Sequence, residues 1–225
     1  MDDKWFCDEE AGMKCLYELN YELLEDLVKG KLNLENWLIR NQDIRRRKDA
    51  ISYSDRYAIL KNRASELSFL FSETEIVSWL DTLSILWNVF NNIGDEYLRH
   101  NIHIFQEYCI PFSNKRADYL LAYDNKILIL EFSFSKLGYE FNYETKLQQA
   151  IGYKELLSNI LPHEVDIGTY TFLIEPEESE YGKMYYVNDS NDLPNDWKMN
   201  SLAEYIEHFF KKNINLAVES LKKYD

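Results

Sequence analysis

A two-residue polar interruption between apolar segments is the feature that most constrains how this chain can fold. Asp124-Asn125 separates residues 118–123 from residues 126–134, and both segments are short and rich in Ile, Leu, Tyr and Phe. Segments of this kind are typical of β-strands, and an Asp-Asn pair tolerates the positive φ angles of a tight hairpin turn. The sequence therefore predicts an antiparallel hairpin at this point in the chain.

Helical spacing dominates the residues before this hairpin. Apolar residues recur there at intervals of three and four, which is the spacing of an amphipathic helix. Ser72 and Glu75 also form the Ser-x-x-Glu capping box that opens a helix. We predict four helices in this region, over residues 8–28, 34–47, 55–71 and 76–90.

The chain alternates between strand and helix around and after the hairpin. We predict further strands over 101–110, 166–175 and 185–187, and helices over 142–160 and 201–223. From residue 74 onward the order is helix, three strands, helix, strand, which indicates an α/β fold with a mixed sheet. We expect residues 1–73 to form an N-terminal helical region packed on a single domain of residues 74–225.

The composition indicates a packed globular protein with an acidic surface. Of the 225 residues, 46% are hydrophobic, and the formal net charge is −14. A surface that binds nucleic acid must replace the counterions around phosphates, so this charge argues against a broad DNA-binding face. The acidity lies in the flanks, however, because residues 99–160 carry seven basic and seven acidic side chains. This distribution permits DNA binding on one face, and it fits equally a protein partner that supplies most of the DNA contacts.

Several classes of protein find no support in the sequence. No apolar run approaches the roughly 20 residues that span a bilayer, and the N-terminus is acidic where a signal peptide would be basic. Three cysteines without a Cys-x-x-Cys pair suit a reducing compartment, so we expect a cytoplasmic protein without membrane contact. The chain has neither a glycine-rich phosphate loop nor a nucleophile elbow, and its four histidines lack zinc-binding spacing.

Two acidic residues occupy the strands of the predicted hairpin. Asp118 begins the first strand, and Glu131 directly follows the Ile-Leu-Ile-Leu run of the second. A carboxylate on a buried strand is costly unless it is paired or bound to a cation, and two neighbouring carboxylates repel each other. Mg²⁺ prefers one or two carboxylates together with water and phosphate oxygens. The pair therefore indicates a divalent-metal site, although a structural ion pair between Glu131 and Arg116 or a nearby lysine explains it equally well.

The helix that follows the hairpin carries three polar residues on one face. Lys146, Gln149 and Tyr153 are spaced by three and four residues, so their side chains project from the same side of a helix. A helix that leaves the strand of Glu131 is expected to pack across the two acids. Taken singly, Tyr153 also fits a core aromatic, Gln149 a surface amide and Lys146 a solvated lysine.

These motifs together resemble the PD-(D/E)XK nuclease superfamily, and most of all its RecB-type branch. The matching residues are Arg116-Ala-Asp118, Glu131-Phe-Ser133 and Gln149-x-x-x-Tyr153. The resemblance covers roughly residues 74–175. It implies a restriction-endonuclease-like αβββαβ core and hydrolysis of DNA phosphodiester bonds with Mg²⁺ or Mn²⁺. It also assigns metal ligands, namely Asp118, Glu131 and the backbone carbonyl of Phe132, with Glu75 as a candidate further ligand.

One position departs from the family pattern. The lysine that follows the second acid by two residues is Ser133, and serine supplies no positive charge for the attacking water or the transition state. Lys146 is the candidate replacement on the helix, and Lys136 is a second candidate just past the strand. If neither replaces it, the chain is an inactive nuclease-like module that binds a protein partner or nucleic acid. We expect substrate contacts from Arg116, Lys136, Gln149 and Tyr153.

Overall fold

A six-stranded mixed sheet, whose strands lie side by side in chain order, forms the centre of the molecule. The computed structural model describes residues 15–34, 54–134, 139–175, 183–187 and 202–211. The strands are β1 (Tyr17–Leu19), β2 (His103–Cys109), β3 (Arg116–Tyr123), β4 (Lys126–Phe134), β5 (Asp166–Glu175) and β6 (Lys183–Val187). All neighbours pair antiparallel except β4 and β5, which are parallel. The predicted α/β fold with a mixed sheet is confirmed.

The described helices lie between β1 and β2, between β4 and β5, and after β6. They are α1 (Tyr21–Glu25, which continues as a π-helical turn over Asp26–Lys31), α2 (Asp55–Glu66), α3 (Glu73–Asn91), α4 (Glu96–Asn101), α5 (Tyr139–Ile160) and α6 (202–211). The capping box of Ser72 and Glu75 opens α3 as predicted. Within the described ranges, none of the helices combines the length and the apolar character that crossing a lipid bilayer requires.

The predicted hairpin is present. β3 and β4 pair from Tyr119–Leu130 to Tyr123–Lys126, and Asp124 turns the chain with a φ of 54°. Side chains of β4 alternate between two buried clusters, as a strand requires. Leu128, Leu130 and Phe132 belong to the larger cluster with α3, whereas Ile127 and Ile129 face α5 together with Tyr153 and Leu157. This alternation places Glu131 on the α5 side of the sheet.

The predicted helix over 8–28 is confirmed from Tyr21 onward and wrong for the residues described before it. Tyr17–Leu19 form an edge strand on β2, and the helix begins only at Tyr21, where the Asn20 side chain caps it. The outer edge of β2 presents unpaired backbone groups, and pairing satisfies them better than a lone helical turn would. Residues 8–14 and the predicted helix over 34–47, beyond Leu34, lie outside the described residues.

Other element boundaries shift by a few residues. α2 ends at Glu66, not at residue 71, and β2 begins at His103 because α4 occupies residues 96–101. The helix predicted over 201–223 is present over 202–211, and its remainder lies outside the described residues. Leu24 of α1 and Leu60 of α2 share one buried cluster with Leu80 of α3. The division at residue 73 stays a prediction.

Gly168 of β5 lies where α6 packs on the sheet. A Cβ atom at this position would stand 2.6 Å from Phe209 Cε2, and the end of the Leu128 side chain is 3.2 Å away. We expect Gly168→Ala to lower the free energy of unfolding by about 1–3 kcal/mol, because the ring must move out of a packed core. Urea denaturation measures the loss.

Gly152 provides a matched control, since nothing lies within 4 Å of a Cβ atom there. Gly152→Ala in α5 should raise the free energy of unfolding by about 1 kcal/mol, because alanine is the better helix former. Equal effects of the two substitutions would contradict the contact of Phe209 with Gly168.

Candidate active site

Asp118 and Glu131 are tied to each other's strands where the pairing of β3 with β4 stops. The last paired residues are Tyr119 and Leu130, and the two acids lie one step further along. The backbone N–H of Asp118 donates to Glu131 Oε1 at 3.0 Å, and the N–H of Phe132 donates to Asp118 Oδ2 at 2.7 Å. Each carboxylate therefore accepts a hydrogen bond from the opposite strand's backbone, which fixes the two side chains next to each other.

Lys146 places its ammonium between these two carboxylates. Its Nζ donates to Glu131 Oε2 at 2.7 Å and to both oxygens of Asp118, at 3.0 and 3.2 Å. The contact arises because α5 follows β4 directly and packs on the sheet face that carries Glu131. Lys146 is thus neither a solvated surface lysine nor the partner of a single acid. One cation serves both carboxylates.

Burial and neighbouring charges shift the pKa values of Glu131 and Lys146. The Glu131 side chain is 0% exposed, and burial, together with the charge of Asp118, raises its pKa well above the ordinary range. Burial of the Lys146 ammonium acts to lower its pKa, but the two carboxylates outweigh burial and raise the pKa above its usual value. Lys146 therefore stays charged at neutral pH, and Glu131 takes up a proton more readily than an exposed glutamate.

A third acid, Glu107 of β2, lies opposite Asp118. β2 and β3 pair on both sides of this position, at Gln106–Tyr119 and Tyr108–Ala117, but Glu107 and Asp118 themselves do not pair. Glu107 has a φ of 53°. The alternation of β2 side chains between the two faces of the sheet also shifts at this point. Phe105 and Tyr108 are three residues apart, yet both belong to the buried cluster that faces α5. The sheet is therefore kinked at Glu107 and Asp118.

This kink turns Glu107 toward α3, where two partners hold it. Trp79 Nε1 donates to Glu107 Oε1 at 2.7 Å, and Arg116 Nε lies 3.4 Å from Oε2. The same guanidinium donates to Glu75 Oε1 at 2.8 Å and stacks over the Phe69 ring, 5.0 Å from its centroid. Arg116 therefore links α3 to the kinked strands. We missed Glu107 from the sequence, where its only signal is one acid inside the apolar segment 101–110.

Burial and the charge of Asp118 raise the pKa of Glu107 from 4.5 to about 8, against the opposing effects of Arg116 and Trp79. A folded-state pKa above the unfolded value stabilises the protein below the unfolded pKa, and this contribution is lost as the pH rises through the folded pKa. We expect wild type to lose on the order of 3 kcal/mol of unfolding free energy between pH 5 and 9 relative to Glu107→Gln. Urea denaturation at both pH values measures this difference, and parallel profiles would contradict the raised pKa.

Asp118 and Lys146 line a cleft of about 370 Å³ between α3 and α5, whereas Glu131 is fully buried and does not line it. Lys146, Gln149 and Tyr153 all line it, so the face predicted from their spacing is the face that meets the acids. The full lining is Glu75, Ser78, Trp79, Glu107, Asn114, Arg116, Asp118, Phe132, Lys146, Gln149 and Tyr153. Burial and the charge of Glu131 raise the pKa of Tyr153, whose hydroxyl therefore remains a hydrogen-bond donor.

Four further residues belong to the predicted site or its motif, namely Glu75, Ser133, Phe132 and Lys136. Glu75 lines the cleft, but Oε2 accepts from the Ser72 backbone at 2.6 Å and Oε1 from Arg116, so both oxygens are engaged. Ser133 is 5% exposed and lies within the core. Phe132 lines the cleft, and its carbonyl stays a predicted ligand. Lys136 lies outside the described residues.

The divalent cation predicted from the sequence would have few protein ligands at this cleft. Among the described residues, no group of three or more His, Cys, Asp and Glu side chains is arranged to hold a metal ion. Mg²⁺ typically binds through one or two carboxylates and takes its other ligands from water and substrate phosphate. The carboxylates of Asp118 and Glu131 converge on the Lys146 ammonium, and a divalent ion held by the two acids stays a prediction.

No family model, curated protein or solved structure matches the chain.

Proposed function

We propose that this chain is a Mg²⁺- or Mn²⁺-dependent nuclease of the PD-(D/E)XK type, which hydrolyses DNA phosphodiester bonds and uses Lys146 in place of the lysine missing at Ser133. One observation carries the proposal. The Lys146 ammonium contacts both acids of the motif, at 2.7 Å from Glu131 and 3.0 Å from Asp118. Lys146 comes from α5, not from the strand of the second acid, yet its ammonium contacts both acids.

The order of elements supports the same proposal. α3, the antiparallel strands β2 to β4, α5 and the parallel strand β5 occur in the order expected of an αβββαβ core, with the short helix α4 inserted between α3 and β2. The two acids lie on neighbouring strands, and α5 covers them. A nuclease core of this type places its metal site at that junction of strands and helix.

The two acids, Lys146, Gln149 and Tyr153 each have a role in this proposal. Asp118, Glu131 and the Phe132 carbonyl would hold the cation, which polarises the scissile phosphate and lowers the pKa of an attacking water. The Lys146 ammonium stabilises the negative charge that develops on the phosphate oxygens. The Gln149 amide and the Tyr153 hydroxyl orient the DNA strand. These groups lie in a partly closed cleft, where fixed charges act more strongly than in water.

Arg116 has a structural role in addition to its predicted contact with the substrate. Its guanidinium is already paired with Glu75 and Glu107. We propose that it positions α3 against the kinked strands and contacts the DNA backbone only at the edge of the cleft.

The proposal is tested by incubating fluorescent single-stranded and duplex DNA with Mg²⁺, Mn²⁺ or EDTA. Wild type should cleave in either metal and be inactive in EDTA. Asp118→Asn and Glu131→Gln, purified identically, should lose activity by about a thousandfold or more, because each removes a charged oxygen ligand. Glu155→Gln, an exposed change on α5, serves as the control. Cleavage that survives in Glu131→Gln, or that is absent from wild type in both metals, would overturn the proposal.

A second candidate function is favoured by the charge balance at the cleft. Lys146 already neutralises the two acids without a metal ion, as a structural ion pair would. In that case the chain is an inactive nuclease-like module that binds a partner protein or nucleic acid, with its acidic flanks as the recognition surface. This candidate predicts no cleavage in any metal and no rise in melting temperature with Mn²⁺, since only binding to the folded state stabilises it.

A further inference from the structure

Phe112 is the most exposed large apolar side chain that the structure describes. It lies in the turn between β2 and β3, and 97% of its surface is accessible to solvent. Its φ of 58° falls in the left-handed region, which is costly for a residue with a Cβ atom. The turn therefore holds a bulky ring in solvent on a strained backbone, where glycine or asparagine would serve a purely structural turn better.

Hydrogen bonds make this turn rigid. The N–H of Ile110 donates to the Lys115 carbonyl at 3.0 Å, and the N–H of Ser113 donates to the Ile110 carbonyl at 3.2 Å. The Ser113 hydroxyl donates to the same carbonyl at 3.1 Å and accepts from the Lys115 N–H at 3.1 Å. The backbone that carries the ring is therefore ordered before a ligand binds, so that stacking costs little backbone entropy.

The turn borders the cleft. Asn114, two residues after Phe112, lines the cleft, and Arg116 and Asp118 follow on β3. Lys115 is exposed beside Asn114 and offers a positive charge at the same edge. The exposed ring of Phe112 is therefore two residues away from the lining of the cleft.

We infer that Phe112 stacks on an unpaired base next to the scissile phosphate, which makes single-stranded DNA, or DNA with splayed ends, the preferred substrate. The inference rests on the proposed nuclease function of the cleft. Bases in a duplex offer no free face to an external ring, whereas an unpaired base stacks on an aromatic side chain. Electrostatic attraction is weak in a chain of net charge −14, so stacking supplies affinity that basic residues supply elsewhere.

The test measures binding without metal, so that it is independent of cleavage. Wild type in EDTA is titrated against a 2-aminopurine-labelled single-stranded oligonucleotide and a matched duplex, with fluorescence and anisotropy as readouts. Phe112→Ala should weaken single-strand binding roughly 5- to 150-fold and change duplex binding less than about twofold. Phe112→Trp should restore both affinity and base fluorescence quenching. Leu70→Ala is the matched control, because Leu70 is 93% exposed but has no aromatic face.

Three results would overturn the inference. The first is unchanged single-strand binding in Phe112→Ala, and the second is equal binding of single strand and duplex by wild type. The third is a shift of the monomer–dimer equilibrium in Phe112→Ala without loss of DNA binding, which would make the ring a contact between copies. Failure of the proposed function gives a different pattern, namely stacking that depends on Phe112 without cleavage in any metal. Cleavage by wild type with unchanged binding in Phe112→Ala would overturn this inference alone.

Discussion

Replacing Lys146 by methionine is expected to reduce metal-dependent DNA cleavage by about 100- to 10,000-fold. Methionine keeps the length and apolar stem of the lysine but removes the ammonium that lies 2.7 Å from Glu131 and 3.0 Å from Asp118. The loss corresponds to that of a group that assists proton transfer or stabilises charge in the transition state. Initial cleavage rates at saturating Mn²⁺ measure it.

Lys154→Met is the control for this prediction, because Lys154 lies on the same helix and does not line the cleft. It should cleave at the wild-type rate. Lys146→Arg should recover part of the activity, since arginine restores the charge with a different geometry. Full activity in Lys146→Met would mean that another residue supplies the cation, and the proposed replacement of the family lysine would be wrong.

The same substitution is expected to destabilise the metal-free protein by about 3–5 kcal/mol at pH 8.5. It leaves Glu131 buried beside Asp118 without a compensating charge, and breaking a buried pair from one side has this cost. The loss should be smaller at pH 6. Burial raises the pKa of Glu131, and removal of the ammonium raises it further, so Glu131 takes up a proton at the lower pH and the repulsion falls. Urea denaturation at the two pH values measures both effects.

Divalent cations should reverse this destabilisation if the acids form a metal site. Mn²⁺ should raise the melting temperature of Lys146→Met more than that of wild type, because the ion replaces a missing positive charge. Lys146→Met,Glu131→Gln should show little response to Mn²⁺. A Lys146→Met protein that is as stable as wild type would contradict the contacts of the ammonium with both acids. A destabilised protein without a Mn²⁺ response would favour the structural ion pair.

The hairpin and its two faces can be predicted from local patterns in the sequence, because both features depend on residues that are close together in the chain. Asp124-Asn125 marks the turn, and the alternation of Ile129, Leu130 and Glu131 sets which side chains face α5. Periodicity likewise places Lys146 beside Gln149 and Tyr153 on a helix. It does not show how far the lysine reaches. That the ammonium contacts both acids depends on how α5 packs on β4, which local spacing does not determine.

Contacts between residues that are distant in the chain explain the structural features that local sequence patterns do not predict. Tyr17–Leu19 form a strand because β2 offers a free edge more than 80 residues away in sequence, whereas their apolar spacing alone predicts a helix. Glu107 enters the site because the sheet is kinked where it faces Asp118. Glu75 was correctly placed at the start of α3, but its carboxylate is held by Arg116 and the Ser72 backbone. Such partners depend on tertiary contacts.

Binding of a divalent cation by Asp118 and Glu131 together is tested most directly by titrating the protein with Mn²⁺ and following electron paramagnetic resonance. The signal of free Mn²⁺ should fall as wild type takes up the ion, and the fall should be larger at pH 8.5 than at pH 6, because a proton on Glu131 competes with the metal. Asp118→Asn and Glu131→Gln should leave that signal close to its value in buffer. A wild-type titration that is indistinguishable from buffer at both pH values would contradict the metal site and the nuclease proposal with it.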